Sequence, residues 1–382
     1  KHSFIDSVKE YLGDRMEFVA GWMYWACWLT LAMADLTATG IYLKYWFPSM
    51  PQWVGPLSIV VLLMLVNMVN VGLFGELESW FSMIKVLAII VLIVIGAVML
   101  LMHSHIDNRT VELKSLVSEA TTTSNWIVVN STKFLVVLFL MSFQMVVFAF
   151  VGIEMVGLTA GETKNPQKDI PKAINTLPVR IGLFYIGSMI AMMVIYPWIQ
   201  IKTTSSPFVQ VFAAIGIPGA AGIINFVVLT AAMSATNSAI FSTSRSLYSL
   251  AQSGNAPKRF GELSAKAVPN HALTFSSLIL FITVILNYIM PAGIFDVIAG
   301  ISTITFIFTW IIILAAHIKY RQRNPKGVSY FKMPGFPVTS WLTIIFFLAV
   351  LVILLFIDST RIPLILSVII FALLAWGYGL KK

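Results

Sequence analysis

The chain has 382 residues, 58% of them hydrophobic and 11% charged, with a mean hydropathy of +0.89 and a formal net charge of +9. A soluble domain carries roughly 25% charge, so this composition excludes one, and the alternating segments of about ten residues that mark a membrane barrel are absent. The single Cys27 excludes an intramolecular disulfide, and the sequence holds no Walker-type glycine loop and no Cys/His cluster, which argues against ATP-driven work and a bound metal.

What remains is an all-α, polytopic membrane protein, since a bilayer core takes about 20 apolar residues per helix. Lys1 to Arg15 is short and charged and reads as a loop or an amphipathic approach to the first span. Ten spans then follow in order: Phe18–Tyr45, Leu57–Phe74, Ser82–Met102, Phe134–Leu158, Val179–Gln200, Gly219–Leu250, Leu273–Met290, Phe295–Ala316, Trp341–Ile357 and Pro363–Tyr378. Between them, His103 to Ser131 is a long polar connection, and Gly161 to Arg180 is a compact, turn-rich loop with Asn165-Pro166 and Pro171. A second turn-rich loop is Gln252 to Arg259.

Alternating these spans across a bilayer puts Lys1, Lys9, Arg15, Lys164, Lys168, Lys172, Arg180, Lys258, Arg259, Lys266, Lys319, Arg321, Arg323, Lys326, Lys332, Lys381 and Lys382 on one side. Few basic residues, among them Lys44, Arg109, Lys202 and Arg361, fall on the other. The basic side is expected to be cytoplasmic, with both termini of this chain inside. So placed, the net charge describes membrane topology and not a nucleic-acid partner.

The fourth span carries an anomaly. After the apolar run from Phe134 come Phe148, Phe150, Val151, Gly152, Glu154, Gly157, Gly161 and Glu162. Glycine loosens a helix and a carboxylate in hydrocarbon is costly. Both are tolerated where a broken helix lines a cavity and its freed backbone groups meet a ligand. This makes transport the first expectation, with packing glycines as the alternative. Glu154 then either couples the break to its neighbours through protonation or bonds loose backbone N–H groups.

Asp35 lies mid-span between Ala34 and Leu36, where so short a side chain cannot snorkel, so it faces the protein interior or a watery cavity. Lys85 opens the third span and has snorkelling as its plain reading. Ser234, Asn237 and Ser238 form a small polar patch in the sixth span, of the kind that also serves close helix packing. Trp46, Trp53, Trp80, Trp126, Trp198 and Trp341 fall near span ends and read as interface anchors.

Five segments together resemble a known family: Tyr11 to Arg15 leading to Gly21–Trp25, Phe74 to Phe81 with Ile84-Lys85, the broken helix running into Glu162–Pro166, Ser234 to Arg245 with the Gly254–Pro257 turn, and Tyr330 to Pro334. The chain resembles the amino acid–polyamine–organocation permeases. Within them Met33-Ala34-Asp35, Pro207-Phe208-Val209 and Ile224 to Thr230 are similar to the D-serine/D-alanine/glycine permeases.

The resemblance implies a fold of two inverted five-helix repeats and a final hairpin, with Lys1 falling just after the family's second helix. On that alignment the first two helices, and half of the substrate cradle with them, are missing. Residues 1–102 would hold the rest of the first repeat, 134–316 the second repeat and 338–382 the hairpin. It also implies proton-coupled uptake of small neutral amino acids across a bacterial cytoplasmic membrane, with no chemical reaction catalysed, no cofactor, and sodium a lesser candidate for the coupling ion.

By the same resemblance Phe148 gates the site, and Phe150, Val151 and Gly152 line it. Asp35 and Asn237 face the substrate, Ser234 and Ser238 face the missing first helix, and Lys85 stands where a lysine replaces a sodium ion. A departure is Asn125 to Val136, where the family has a Gly- and Pro-containing approach and this chain has Trp126-Ile127-Val128-Val129. Alternative readings are a permease for other neutral or aromatic amino acids, and a sensor or inactive remnant.

Overall fold

The computed structural model describes residues 4–69, 71–106, 109–113, 132–155, 165–202, 204–264, 268–325, 332–356 and 358–381; the side chains of 68–79, 109, 132–138, 141, 166, 199, 358–359 and 380–381 fall outside that description. The helices are α1 (Phe4–Leu12), α2 (Asp14–Leu43), α3 (Val54–Val69), α4 (Val71–Leu101) and α5 (Thr132–Ala149). Next come α6 (Pro166–Ile181), a π-helical turn (Gly182–Ile186), α7 (Gly187–Ile195), α8 (Pro207–Ala214) and α9 (Ala220–Gln252). The last four are α10 (Asn270–Ile289), α11 (Ile294–Arg323), α12 (Val338–Leu355) and α13 (Asp358–Lys381). Taking α6, the π turn and α7 as one rod, the ten expected spans all appear as helices.

The bundle is organised around α2, which packs against α1, α3, α9, α10, α11 and α13. Its sequence explains the position. Small residues (Ala20, Gly21, Ala32, Ala34, Ala38, Gly40) recur along it, so neighbouring backbones can approach closely, as they do where Gly40 meets Gly55 of α3. In its most apolar stretch 67% of residues are buried, against 11% for α4, so α2 is the interior post and α4 a lipid-facing wall. The wide apolar surfaces of α4, α12 and α13 suit hydrocarbon and not water.

Polar side chains tie the interior helices to one another. Asn67 of α3 donates to Asn237 Oδ1 of α9 at 2.6 Å. Gln52 donates to Asn287 Oδ1 of α10 at 2.9 Å, and Asn287 donates to Thr37 Oγ1 of α2 at 3.0 Å. Trp25 Nε1 donates to Ser276 Oγ at 3.1 Å, and Asn225 Nδ2 to the Tyr42 carbonyl at 2.9 Å. Bonds of this kind between membrane helices contribute about 0.6 kcal/mol each on average, but here they link α2, α3, α9 and α10 pairwise into one block.

The fourth span is interrupted where the broken-helix reading expects it: its helix stops at Ala149 and the chain turns through 150–154, while 156–158 lie outside the described residues. Three other expectations change. Gly161–Arg180 is not a loop beyond Pro166; proline at the first position of a helix has no N–H to lose, and α6 starts there. The helix of the third span begins earlier than expected, at Val71; at 1.5 Å per residue α4 is about 46 Å long and outreaches the ~30 Å hydrocarbon core, and its membrane-crossing segment Trp80–Leu101 keeps Lys85 near its start. Finally, Pro207–Ala214 is a helix where only a connection was expected, started by Pro207 and burying Val209, Val211 and Phe212. The amphipathic reading of the N-terminal stretch is realised as α1, and part of the His103–Ser131 connection pairs as a two-stranded ribbon, His105–Ile106 with Arg109–Thr110. Thr121 to Ser131, including Trp126, lies outside the described residues.

Candidate functional site

The site is built on the end of α5. Beyond Ala149 the backbone leaves the helical ladder and closes short turns: Phe150 N–H to the Val147 carbonyl (3.1 Å), Val151 to Phe148 (3.2 Å), Ile153 to Phe150 (3.4 Å) and Met155 to Gly152 (3.1 Å). Gly152 sits at φ +98°, a region open to glycine and strained for other residues, so this residue type is what lets the chain break here. The residues that follow, 156–164, lie outside the described residues.

Glu154 folds back onto this turn. Its Oε2 accepts the Gly152 N–H at 3.2 Å and the indole N–H of Trp310, from α11, at 3.2 Å. Its Oε1 is closed off from solvent and has no hydrogen-bond partner among the described residues. The carboxylate also acts electrostatically on Tyr24 and Cys27 of α2, and the Tyr24 hydroxyl donates to Met155 Sδ at 3.7 Å. The turn is therefore held between α2 and α11. Phe148 meets Phe295 edge-on at 6.3 Å, and Phe150 stacks on Tyr185 of the π-helical turn at 5.3 Å with 14° between the rings.

A second polar centre lies further along α2. Asp35 is half-buried, and its Oδ2 is closed off from solvent without a hydrogen-bond partner among the described residues. The charge that acts on it is Lys85 of α4, and Asp35 in turn acts on Tyr42. From Cys27, beside Glu154, to Asp35 is about 12 Å along the helix axis. The structure thus brings Phe148, Phe150, Val151, Gly152 and Glu154 together and groups Asp35 with Lys85 apart from them.

Asn237 is buried and engaged with Asn67, which ties it to α3. Ser234 is buried on the same helix, and Ser238 Oγ donates to the Ser234 carbonyl at 3.0 Å. Arg245 lies over the Phe241 ring at 5.0 Å, in keeping with a snorkelling side chain.

Sequence reasoning missed Trp310 and Tyr185. Trp310 had a signal: it stands inside an apolar run, far from either end of its helix, where an indole N–H needs a partner. Tyr185 had none, because its position depends on a π turn that no residue pattern announced.

Chemically, the turn offers carbonyl oxygens turned out of helical bonding, one carboxylate oxygen without a hydrogen-bond partner among the described residues, and two aromatic rings. Such a set can hold an ammonium group and exchange a proton.

The amino acid permease family model matches residues 2–381. The chain is 50% identical to the amino-acid permease AapA of Bacillus subtilis (strain 168), across 100% of this chain and 81% of the relative. It is 42% identical to the D-serine/D-alanine/glycine transporter of Escherichia coli (strain K12), across 98% of this chain and 79% of the relative. It is 36% identical to the L-asparagine permease of Salmonella typhimurium (strain LT2), across 100% of this chain and 76% of the relative.

Proposed function

The chain belongs to the amino acid permease family, and on that premise we propose that it carries small neutral amino acids (glycine, D-alanine and D-serine) into a bacterial cell with a proton. The observation that carries the reading is the glycine-dependent break at the end of α5 with Glu154 folded onto it. The 42% identity to a D-serine/D-alanine/glycine transporter supports the substrate class. Relatives named as permeases and transporters support carriage and not catalysis.

In this mechanism the substrate ammonium binds the carbonyls around Phe150, Val151 and Gly152, where a formal countercharge is not needed. Phe148 closes over it from outside. Asp35 and Asn237 face the substrate, proton binding at Lys85, Glu154 or Asp35 biases the exchange between the two open states, and Ser234 and Ser238 line the path beside them. Rocking of the α5–α7 segment against the block of α2, α3, α9 and α10 exposes the site to each side in turn. In the expected repeat assignment, residues 1–102 are the remainder of the first repeat, 134–316 the second and 338–382 a hairpin, so the motion is one repeat against the other. The basic side of the span alternation, including Arg321 and Arg323 at the end of α11, faces the cytoplasm.

The 36% identity to an L-asparagine permease favours a second reading, a carrier for larger neutral amino acids. The test is uptake of labelled D-alanine by cells that lack their own carriers and express this chain. Accumulation that collapses with the proton gradient and is competed by glycine and D-serine, but not by L-asparagine, bears the proposal out. Competition by L-asparagine alone moves the assignment to the second reading, and accumulation indifferent to the proton gradient removes the coupling role.

A further inference from the structure

The π-helical turn between α6 and α7 has a consequence for the break. Pro178 lacks the N–H that would continue the helical ladder, and within one turn the bonding widens: the Gly187 N–H reaches back five residues to the Gly182 carbonyl. One inserted residue rotates the side chains that follow by about 100°. Ser188 Oγ donates to the Phe184 and Tyr185 carbonyls, so groups left over by the wide turn are satisfied.

Downstream, α7 is fixed to α4. A Cβ on Gly96 would lie 2.8 Å from the Ala191 Cβ, and one on Gly187 would lie 3.3 Å from Ile93 Cδ1, so the two helices touch with no slack. From this base Tyr185 projects its ring flat against Phe150. Phe150 is the first residue of the broken turn, where the backbone bonds are few and as long as 3.4 Å.

We propose that Tyr185 is a positioning residue for the broken helix: its ring, presented by the π turn and braced through α7 on α4, holds Phe150 and so sets the shape of the carbonyl array that receives the substrate. This rests on the transport reading for its functional meaning, but the ordering of the turn is measurable without transport. The ring does the work and the hydroxyl does not, so phenylalanine replaces Tyr185 and alanine or leucine does not. Pi turns recur at functional positions because they aim a side chain that a regular helix would turn away.

The test is amide hydrogen exchange over residues 148–155 in the purified chain reconstituted in lipid nanodiscs, comparing wild type with Tyr185→Phe, Tyr185→Leu and Tyr185→Ala. Stacked aromatic pairs justify an expected rise of about threefold or more in exchange for Leu and Ala, with Phe at the wild-type rate and α7 unchanged in all. Leu keeps apolar bulk and carries the test if Ala does not fold. Exchange equal in all four overturns the proposal, as does an increase for Phe matching that for Ala. A second arm measures uptake kinetics: Leu is expected to raise KM for the transported amino acid with Vmax largely kept, and Phe to restore it. If wild type itself takes up nothing, the transport reading fails while the exchange data still decide the role of Tyr185.

Discussion

The Trp310 indole N–H and the Gly152 backbone N–H converge on the same oxygen of Glu154, each at 3.2 Å. One carboxylate oxygen thereby joins the broken end of α5 to the middle of α11, and the other is left without a hydrogen-bond partner among the described residues.

Trp310→Phe removes the donor and keeps a ring against Phe306 and Phe347. A hydrogen bond to a carboxylate contributes about 1.5–3 kcal/mol, so thermal unfolding in detergent should fall measurably, and the pH profile of uptake should shift. Trp310→His, which retains an N–H, should recover part of the profile. An unchanged profile in Trp310→Phe would remove the clamp from the mechanism.

At Gly152 a methyl group would come within 4 Å of no atom of the described residues, so substitution by alanine chiefly tests backbone conformation. Holding a non-glycine residue at φ +98° costs about 1–3 kcal/mol. Gly152→Ala is therefore expected to reach the membrane in normal amount and lose most uptake. Full uptake would mean that the break is not the binding element.

Asp35→Asn and Lys85→Ala should separate coupling from carriage. Both are expected to abolish accumulation driven by a pH gradient while leaving exchange of labelled for unlabelled substrate across the membrane. A variant that still accumulates substrate has its residue struck from the coupling role.

At the cytoplasmic end of the expected topology, the Lys9 ammonium lies 2.9 Å from the buried Glu17 and ties α1 to α2. The hydrogen bond to Glu17 raises the lysine above its ordinary 10.5. A raised lysine stabilises the folded form fully below that ordinary value and loses the contribution as pH climbs through the raised one. Proteolytic cleavage within α1 should thus increase only in strongly alkaline solution, and Lys9→Met should show the increase already at neutral pH. Equal cleavage of both proteins at neutral pH would show that α1 is held by its apolar contacts instead.

The spans were legible because apolar length alone identifies a membrane helix, and the break was legible because Gly152 and Glu154 contradict their surroundings. The neighbours of Glu154 were not. Trp310 lies 156 positions away in the chain and meets Glu154 only once α5 and α11 pack. Asn237 illustrates the same limit: sequence marks it as polar at membrane depth, but its bond to Asn67 depends on how α3 and α9 meet. The helix at Pro166 was misjudged because proline punctuates loops and also begins helices, and Pro171 and Pro178 reinforced the first meaning. Tyr185 was out of reach altogether, since the sequence does not say how far beyond Pro178 the helix widens or that the ring meets Phe150, 35 positions away.

The central place of α2 bears on how the protein is made. Its main neighbours, α9 and α11, are synthesised long after it, with about 180 residues separating the end of α2 from the start of α9. At 5–20 residues per second that is roughly 10–40 s. Throughout that interval α2 holds Asp35 at membrane depth with the faces meant for α9 and α11 uncovered. Newly made α2 must wait beside the insertion machinery or against early neighbours such as α3, and a slowed ribosome would lengthen the period in which quality-control proteases can recognise it.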